Sequence, residues 1–409
     1  MNNHRENRVM VIPGATAQIP LINALHKNGY TVVCVNPYED SPAFEYADFS
    51  ERYDILDVSA CTKVAKKYGV RAIMSDQCDI AMPPLAAASE KLGLCSIGTE
   101  MAELYTNKYA MREFSENNGF HYPKYVQCKT LREAKDFFNS LDNPKMIIKP
   151  LDSNSSRGVF TVSDSEELDG LFEQSLAFSK INKAVICEEY IEGTEFTVDG
   201  LMYRGKHYSL AISKKKHYAH HPNIACELYF SHSNFEYDYD RLREQNDLYV
   251  EKSGLPFGFT HAEYKYNGRE FVLIEIGARG GGNYISSHIV PAMTGIDNYK
   301  LLIDSTMEKD NYDCDLTIKD EFKDRCAVLK FFDINTKDDG KVLKQILGEK
   351  LLKDNPKVLL YGFNVQLGER VKVADNDSKR IGFYIAYGDT KAELDEFIKT
   401  VDENVDFVF

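Results

Sequence analysis

The chain lacks an excess of positive charge and any long apolar run. Its 49 Lys and Arg residues stand against 63 Asp and Glu residues, which gives the 409 residues a formal net charge of −14. Nucleic acids and anionic membrane surfaces bind basic faces, so this balance argues against both as partners, although a local cluster of cations can still hold a small anion. No apolar run approaches the roughly 18–20 residues that cross a bilayer.

Paired cysteines and an apolar leader are also missing. The nine cysteines are scattered singly without a C-x-x-C pair, which makes a poor disulfide framework and a poor zinc site and favours reduced thiols. The amino terminus, MNNHRENRVMVIPG, has no apolar signal region. A soluble cytoplasmic protein is therefore expected, with about two to four domains at this length.

Strands and helices alternate over residues 8–98, a pattern typical of a parallel sheet. The segments RVMVIPG, TVVCVNP and RAIMSD are predicted strands, and helical spacing covers 17–28, 59–68 and 84–92. Such sheets bind ligands beyond the carboxyl ends of their strands. The residues at these ends are Gly14, Ser75, Asp76 and Asp79. The first turn, PGATAQIP, lacks the GxGxxG fingerprint, so a substrate-side or structural role is favoured over NAD binding.

A polar loop follows the predicted strand MIIKP, which ends at Lys149. Phosphate oxygens need backbone N–H groups and cations. The loop LDSNSSRGV offers Ser, Asn and Gly for a close main-chain approach, with Lys149 and Arg157 as cations. The loop joins two strands, whereas a P-loop feeds a helix. The alternative interpretation is a β-hairpin with a polar tip.

Glu188 and Glu195 flank the turn EGT between two predicted strands. They are either exposed hairpin carboxylates or groups at the mouth of a cleft. In the cleft, one would meet a base amino group or the neighbouring backbone, and the other would accept hydrogen bonds from ribose hydroxyls. Downstream, SKKKHYAHHP (213–222) is predicted to be a solvated loop that lines a binding site, where Lys214 to Lys216 can meet an anion. Its histidines match neither HExxH nor a zinc-finger spacing.

Two carboxylates are expected to face each other across a hairpin. FTHAEYKY and FVLIEIG are predicted strands joined at Asn267-Gly268, which places Glu263 opposite Glu275. The two would repel each other unless a cation lies between them, and Mg²⁺ held by one or two carboxylates and substrate phosphates is the usual arrangement. The alternative is a strand end with an exposed ion pair between Glu275 and Arg279. The glycines that follow, 280–282, allow a sharp turn or a close approach to a ligand.

The last part of the chain is predicted to be a β-rich lobe. Alternating patterns recur in RCAVLKFFDI, KVLLYGFNVQ, RVKVA and RIGFYIAYG, and a helix is expected from residue 390 to about 401.

In their order and spacing, these motifs resemble the ATP-grasp superfamily of carboxylate–amine ligases. The resemblance is closest to the branch with L-amino-acid ligases and carnosine-synthase-like enzymes, with kinship to biotin carboxylase and carbamoyl-phosphate synthetase. It implies a mixed α/β and α+β fold: a Rossmann-like domain over 1–106, a nucleotide clamp of two α+β subdomains over 107–196 and 197–320, and a β-rich lobe over 321–409.

The resemblance also implies roles for individual residues. The ATP contacts would be Lys108 and Lys149 at the phosphates, Ser155, Ser156, Arg157 and Gly158 in the covering loop, Glu188, Tyr190 and Ile191 at adenine, and Glu195 at the ribose. Glu263 and Glu275 would be metal ligands, and Arg279 would steady the transferred phosphoryl group. Candidate substrate contacts are Lys216, Gly282, Asn283 and His288.

One position departs from the family pattern. The family reads E-x-N at the second metal position, whereas this chain reads Glu275-Ile276-Gly277. A glycine cannot coordinate metal through a side chain. Water or Asn283 would complete the coordination shell, or the site would hold metal less well.

The activity that the resemblance implies is ATP-dependent amide formation through an acyl phosphate, with Mg²⁺ or Mn²⁺ as cofactor. The substrates would be a small carboxylate and an amine, such as an amino acid, a dipeptide, an amino sugar or a carrier-linked acyl group. The alternatives are a bicarbonate-activating enzyme and a nucleotide-binding protein without catalysis. The family is often dimeric, so a homodimer is also expected.

Overall fold

The computed structural model describes residues 7–151, 157–179, 183–308 and 316–409. The first unit is a parallel four-stranded sheet with strand order β3-β2-β1-β4, covered by helices. Its elements are β1 (Arg8–Val11), α1 (Ile19–Lys27), β2 (Thr31–Val35), β3 (Phe49–Glu51), α2 (Val58–Tyr68), β4 (Ala72–Met74), α3 (Met82–Leu92) and α4 (Thr99–Leu104). The predicted parallel sheet is confirmed. Asp76, Gln77 and Asp79 follow β4, at the edge of the sheet where ligands bind.

The second unit is an antiparallel four-stranded sheet with two helices on one face. Its elements are α5 (Lys108–Asn117), β5 (Tyr125–Cys128), α6 (Leu131–Ser140), β6 (Met146–Pro150), β7 (Phe160–Val162), α7 (Leu168–Leu176) and β8 (Val185–Glu189). The strand order is β5-β8-β6-β7, and α6 and α7 bury Phe138 and Phe172 against the sheet. Helix α5 begins at Lys108 because the side chain of Asn107 accepts hydrogen bonds from the amides of Tyr109 and Ala110.

An eight-stranded antiparallel sheet organises the rest of the chain. Its elements and those that pack on it are β9 (Thr194–Tyr203), β10 (Lys206–Tyr218), β11 (His221–Ser231), α8 (Tyr239–Ser253), β12 (Gly258–Tyr266), β13 (Phe271–Gly277), α9 (Val290–Thr294), α10 (Asn298–Thr306), β14 (Cys326–Phe331), β15 (Gln345–Leu347), α11 (Glu349–Lys353), β16 (Val358–Phe363), β17 (Gly382–Gly388), α12 (Lys391–Asn404) and β18 (Asp406–Val408). The strand order is β13-β12-β9-β10-β11-β14-β17-β16, and β15 pairs separately with β18.

This sheet crosses two of the predicted domain boundaries. The boundary at 196/197 falls inside β9, and the boundary at 320/321 falls between β11 and β14, which pair directly. The four domain ranges therefore stay predictions.

Two local predictions are wrong. Residues 213–222 were expected to form a loop, but they belong to β10, β11 and the tight turn between them. Charged residues suit a strand here because successive side chains point to opposite faces. Lys214 and Lys216 face one cavity, and Lys215 and His217 face another. RVKVA was expected to be a strand, but among the described residues it forms only the isolated bridge Val342–Arg370.

The apolar core is shared between the units. One cluster joins Leu21 and Val32 of the parallel sheet unit to Phe230, Phe259 and Leu329 of the eight-stranded sheet. This shared packing fixes the loops after β4 against the strands that carry the predicted metal ligands. Over the described ranges, no helix has both the length and the apolar character needed to cross a membrane.

Candidate active site

Glu263 and Glu275 lie opposite each other in the register of β12 and β13, as the sequence predicts. The hairpin turns at Asn267, whose Oδ1 accepts hydrogen bonds from the amides of Arg269 (3.0 Å) and Glu270 (2.9 Å). The turn sets the pairs up to Tyr264–Leu273, and a register shift between Tyr264 and Glu263 then places Glu263 opposite Glu275.

Two lysines compensate this pair of carboxylates. Lys108 Nζ lies 2.9 Å from Glu275 Oε1. Lys215 Nζ lies 2.8 Å from both Glu263 Oε1 and Glu195 Oε1. Burial alone would lower the pKa of Lys215, but the charges of Glu195 and Glu263 outweigh it and raise that pKa. Burial alone would likewise raise the pKa of Glu195, but Lys215 and His217 bring it down to about 2. Lys215 and Glu195 are therefore charged at neutral pH.

His261 adds a further cation beside Glu263. Its Nδ1 lies 2.9 Å from Asp199 Oδ1, and its Nε2 lies 3.8 Å from Glu263 Oε1. Burial opposes protonation, yet the charge of Asp199 and its hydrogen bond raise the pKa of His261 to about 9.

Sequence reasoning did not single out His261, and it treated Lys215 only as one of three lysines in a loop. The available signal was strand alternation. His261 is two residues before Glu263 on β12 and therefore shares its face of the sheet. Lys215 lies between Lys214 and Lys216 on β10, so its side chain points to the opposite face from theirs.

The predicted nucleotide residues group around Glu188. Glu188 is buried, and its two carboxylate oxygens lie 2.8 Å from Arg112 Nε and 2.7 Å from Lys149 Nζ. Burial opposes ionisation, but these two cations lower the pKa of Glu188. Burial is also the larger influence on Lys149 and lowers its pKa, although Glu188 acts in the other direction. The structure thus places Glu188 inside an ion-pair network rather than at an exposed hairpin tip.

The other described nucleotide candidates are Tyr190, Ile191, Arg157 and Gly158. Tyr190 and Ile191 follow β8 and are half-buried, and the Nζ atoms of Lys145 and Lys265 lie 3.9 Å and 4.5 Å from the Tyr190 ring centroid. Ser155 and Ser156 lie outside the described residues. Arg157 is exposed and Gly158 is buried.

Arg279 is held by the first unit of the chain. Its Nε and Nη2 lie 2.9 Å and 2.8 Å from the two carboxylate oxygens of Asp79, and its Nη1 donates to the carbonyl oxygen of Gly280 at 3.0 Å. Burial would raise the pKa of Asp79, but the Arg279 guanidinium lowers it. Arg279 therefore pairs with Asp79, while Glu275 pairs with Lys108, so the exposed pair Glu275–Arg279 is not the arrangement found.

A buried aspartate fixes the glycine-rich loop that follows Arg279. Asp76 accepts hydrogen bonds from Gly280 N (3.0 Å), Ser286 Oγ (2.7 Å) and Tyr299 OH (2.6 Å). A Cβ at Gly280 would lie 2.4 Å from Asp76 Oδ1, so only glycine fits. The loop that carries Arg279 is thereby anchored to the loop after β4.

The four predicted substrate residues separate into two groups. Gly282 and Asn283 line a cavity of about 460 Å³ together with Glu263, Glu275 and Arg279. Charged and apolar side chains from several elements line the same cavity: Asp79, Glu195, Lys215, Ala225, Leu228, His261, Phe331, Asp377 and Arg380.

Lys216 and His288 lie elsewhere. Lys216 faces a separate cavity of about 1080 Å³, beside α12, and its Nζ is 2.5 Å from Glu227 Oε1. His288 Nδ1 and Ser287 Oγ are 2.7 Å apart, and His288 is not among the residues that line the 460 Å³ cavity.

The donor set fits a divalent cation that binds together with a nucleotide. No cluster of three or more His, Cys, Asp or Glu metal donors occurs in the part of the chain that is described. Glu263 and Glu275 supply two carboxylates, which is the number that Mg²⁺ commonly uses when substrate phosphates supply further oxygens. A Cβ at Gly277 would lie 2.7 Å from Asp79 Oδ1, so the place of the family's Asn is occupied by the Asp79–Arg279 pair.

Comparison with known proteins adds a family to this geometry. Residues 143–287 match the family described as the ATP-grasp domain. These residues include Lys149, Glu188, Glu195, Glu263 and Glu275, which the structure brings together. Over residues 143–287 the chain is similar to the ATP-grasp domain. The resemblance inferred from the sequence is thereby confirmed.

Two curated proteins that are similar to this chain are a synthase and a ligase by name. It is 27% identical over 187 residues to dapdiamide A synthase of Enterobacter agglomerans, covering 45% of this chain and 44% of the relative. It is 28% identical over 277 residues to alanine–anticapsin ligase of Bacillus subtilis (strain 168), covering 60% of this chain and 56% of the relative. The chain therefore spans about half the length of the curated relatives that it matches.

The fold is similar to that of a solved L-amino acid ligase. The L-amino acid ligase from Bacillus licheniformis superposes with a TM-score of 0.81 at 18% identity, and the match covers all of both chains. At that identity the likeness shows the fold alone. The predicted ATP-grasp fold class is confirmed.

Proposed function

We propose that this protein joins a small-molecule carboxylate to an amine at the expense of ATP, through an acyl phosphate. The observation that carries the proposal is the meeting of two opposed carboxylates, Glu263 and Glu275, with the guanidinium of Arg279 in one cavity of an ATP-grasp domain. The names of the two curated relatives support the same reaction class.

In the proposed reaction, a carboxylate oxygen of one substrate attacks the γ-phosphorus of ATP, and the bond to the β-phosphate oxygen breaks to release ADP. The amine then attacks the acyl carbon, phosphate leaves, and the amine loses a proton. A free carboxylate is a poor acyl donor because oxide is a poor leaving group. Phosphorylation supplies a good one, and the protein contributes mainly positioning and charge neutralisation.

Each charged residue has a place in this scheme. Glu263 and Glu275 would hold Mg²⁺ or Mn²⁺ with the phosphates of ATP, and the ion would neutralise charge on the transferred phosphoryl group. Lys108 and Lys149 would contact the phosphates, and Arg279 would contact the reacting phosphoryl group. Asp79 is a positioning residue, because its two-point contact with Arg279 sets the direction of the guanidinium.

The nucleotide itself would lie between the second unit and the edge of the large sheet. The residues proposed to contact it are Lys108, Lys149, Ser155, Ser156, Arg157, Gly158, Glu188, Tyr190, Ile191 and Glu195. Of these, Glu188 would act through Lys149 and Arg112, since its carboxylate is buried between them.

The test measures ADP formation by the full chain with ATP, Mg²⁺ and a panel of amino acids and other small carboxylates, with hydroxylamine as the nucleophile. An acyl phosphate is then trapped as a hydroxamate. We expect hydroxamate and ADP in equal amounts with at least one carboxylate. Bicarbonate-dependent ADP formation without any organic carboxylate would instead assign the alternative bicarbonate reaction, and ATP binding without turnover would overturn both.

The variant Arg279→Ala tests the proposed role of Arg279 in this reaction. We expect it to abolish turnover, on the order of 10²-fold or more, because the group that meets the developing charge is lost. Most of the ATP affinity should remain. Arg132→Ala is the control, because Arg132 is an exposed residue of α6. Its Nε lies 3.8 Å from Asp136 Oδ2 on the same helix. Unchanged turnover in Arg279→Ala would contradict the proposed role.

A further inference from the structure

The cavity extends well beyond the opposed carboxylates. Glu263 lies on β12 and Phe331 on β14, and three strands separate them in the sheet. With the ~4.8 Å spacing of neighbouring strands, this separation is about 19 Å along a flat sheet. A carboxylate that reacts beside Glu263 and Arg279 therefore leaves the far end of the cavity for another part of the substrates.

The far end combines an apolar wall with a buried cation. Ala225, Leu228 and Phe331 form the wall, and Arg380 lines the same cavity from the segment before β17. The Arg380 Cζ lies 3.7 Å from the Phe331 ring centroid. Its Nη2 lies 2.7 Å from Asp377 Oδ1 and donates to the carbonyl oxygen of Ala225 at 2.8 Å.

One hydrogen-bond donor of Arg380, its Nε, is unsatisfied within the described parts of the chain. The residue is 7% exposed, and its buried Nε has no hydrogen-bond partner among the described residues. Burial lowers the pKa of Arg380, and Asp377 offsets this only in part. A buried guanidinium costs free energy unless anions and acceptors satisfy it. Its planar fork of N–H donors fits a carboxylate.

We propose that Arg380 is a specificity residue that binds a carboxylate, or an equivalent anionic group, on the amine substrate. This inference rests on the proposed ligase function. The carboxylate to be activated must reach Glu263, Glu275 and Arg279, so it cannot also occupy the far end. We therefore assign the far end to the amine that attacks this carboxylate. The acceptor is then an amino acid or peptide with a free carboxylate, rather than an uncharged amine or a neutral amino sugar.

The experiment compares amines that differ only in this anionic group. The full chain receives ATP, Mg²⁺ and a panel of amino acids as carboxylate substrates. Each amine is offered as the free amino acid and as its carboxamide, for example alanine and alaninamide, and the amide product is measured. Hydroxylamine serves as an uncharged nucleophile that reports acyl phosphate formation without any contact to Arg380.

We expect the wild type to use the free amino acid with a kcat/KM about 10- to 100-fold above that of the carboxamide, as a charged hydrogen-bonded pair would give. Arg380→Met should remove this preference through a higher KM for the amino acid and should keep the hydroxamate rate. Arg380→Lys should keep part of the preference. Arg370→Met, which changes an exposed arginine whose Nη1 donates to the carbonyl oxygen of Gly340, should behave as the wild type.

Equal use of amino acid and carboxamide by the wild type would overturn the proposal, as would an unchanged preference in Arg380→Met. Hydroxamate formation by the wild type would in that case leave the ligase function standing. Failure to form hydroxamate with every carboxylate would overturn the ligase function, and this proposal with it. If Arg380→Met does not fold, the wild-type comparison and Arg380→Lys decide the question.

Discussion

At position 277 the chain carries a glycine where the resembling family carries a metal-binding asparagine. The sequence reveals this departure but not its reason, because Asp79 is about two hundred residues away along the chain. In the structure, a Cβ at this position would lie 2.7 Å from Asp79 Oδ1. The glycine and the Asp79–Arg279 pair therefore depend on each other.

We predict that Gly277→Asn, which restores the family residue, lowers both stability and turnover. The new side chain would displace Asp79 from its two-point contact with Arg279. Overpacking of this kind costs about 1–3 kcal/mol in the free energy of unfolding. Thermal and denaturant unfolding measure the stability, and ADP formation measures the turnover.

The control for this prediction is the double variant Asp79→Ala/Gly277→Asn. Because the two sites touch, the combined loss of stability should be smaller than the sum of the two single losses. A Gly277→Asn variant that is as stable as the wild type and needs less Mg²⁺ for turnover would contradict the account.

Sequence reasoning found those site residues that local patterns determine. Glu263 and Glu275 follow from the hairpin, and Lys149 follows from its strand and polar loop. The partnerships of Lys215, His261 and Asp79 could not be found in this way. They depend on which strands become neighbours and on how the first unit packs against the large sheet, and no local spacing encodes either.

Among the elements, the glycine-rich loop after β13 shows how tightly one segment can be specified. Gly280 and Gly281 are enclosed, whereas Gly282 has no atom within 4 Å of an added Cβ. A Cβ at Gly281 would lie 2.3 Å from Asp199 Oδ1 and 2.8 Å from His261 Nδ1. Those two groups hydrogen-bond to each other at 2.9 Å, so neither can move freely.

We predict that Gly281→Ala lowers the free energy of unfolding by about 1–3 kcal/mol. Gly282→Ala is the matched control, since it adds the same atom to the next residue without a collision. Its free energy of unfolding should stay at the wild-type value. The measurement is denaturant unfolding of the three proteins side by side. Equal stability of the two variants would refute the close packing of Gly281.

Most helices and strands that were predicted from apolar periodicity are present in the structure, and the error at 213–222 has a physical cause. The segment 213–222 is rich in Lys and His, which is typical of a loop, yet it lies in two paired strands. Tertiary context overrides composition there, because Glu195, Glu227 and Glu263 supply the opposing charges. RVKVA has the alternation of a strand but pairs at only one bridge in the described structure.

At the scale of the whole molecule, the eight-stranded sheet joins parts that the sequence analysis placed in separate domains. β11 pairs with β14 through five residue pairs, from Glu227–Lys330 to Ser231–Cys326. Leu329 of β14 and Ile385 of β17 belong to the same apolar cluster as Phe230 and Leu228. The last part of the chain therefore completes the central sheet and its core.

We predict that a chain truncated after residue 320 does not fold cooperatively. Truncation would leave β11 as an unpaired edge and expose the apolar residues that β14 and β17 cover, which promotes aggregation. Size-exclusion chromatography and thermal unfolding, with the intact chain measured in parallel, test this. A soluble truncated chain with a cooperative transition near that of the intact chain would show that residues 1–320 fold without 321–409.

The pairing of β11 with β14 also sets a condition for building hybrid enzymes. Phe331 and Arg380 at the far end of the cavity are encoded near the carboxyl terminus, whereas the residues beside the proposed phosphoryl transfer are encoded earlier. An engineer who wishes to exchange the wall between relatives must preserve the five-pair ladder between β11 and β14. Crossover points placed in the loops on either side of β14 would meet this condition only if both parents share its register and its inward-facing side chains.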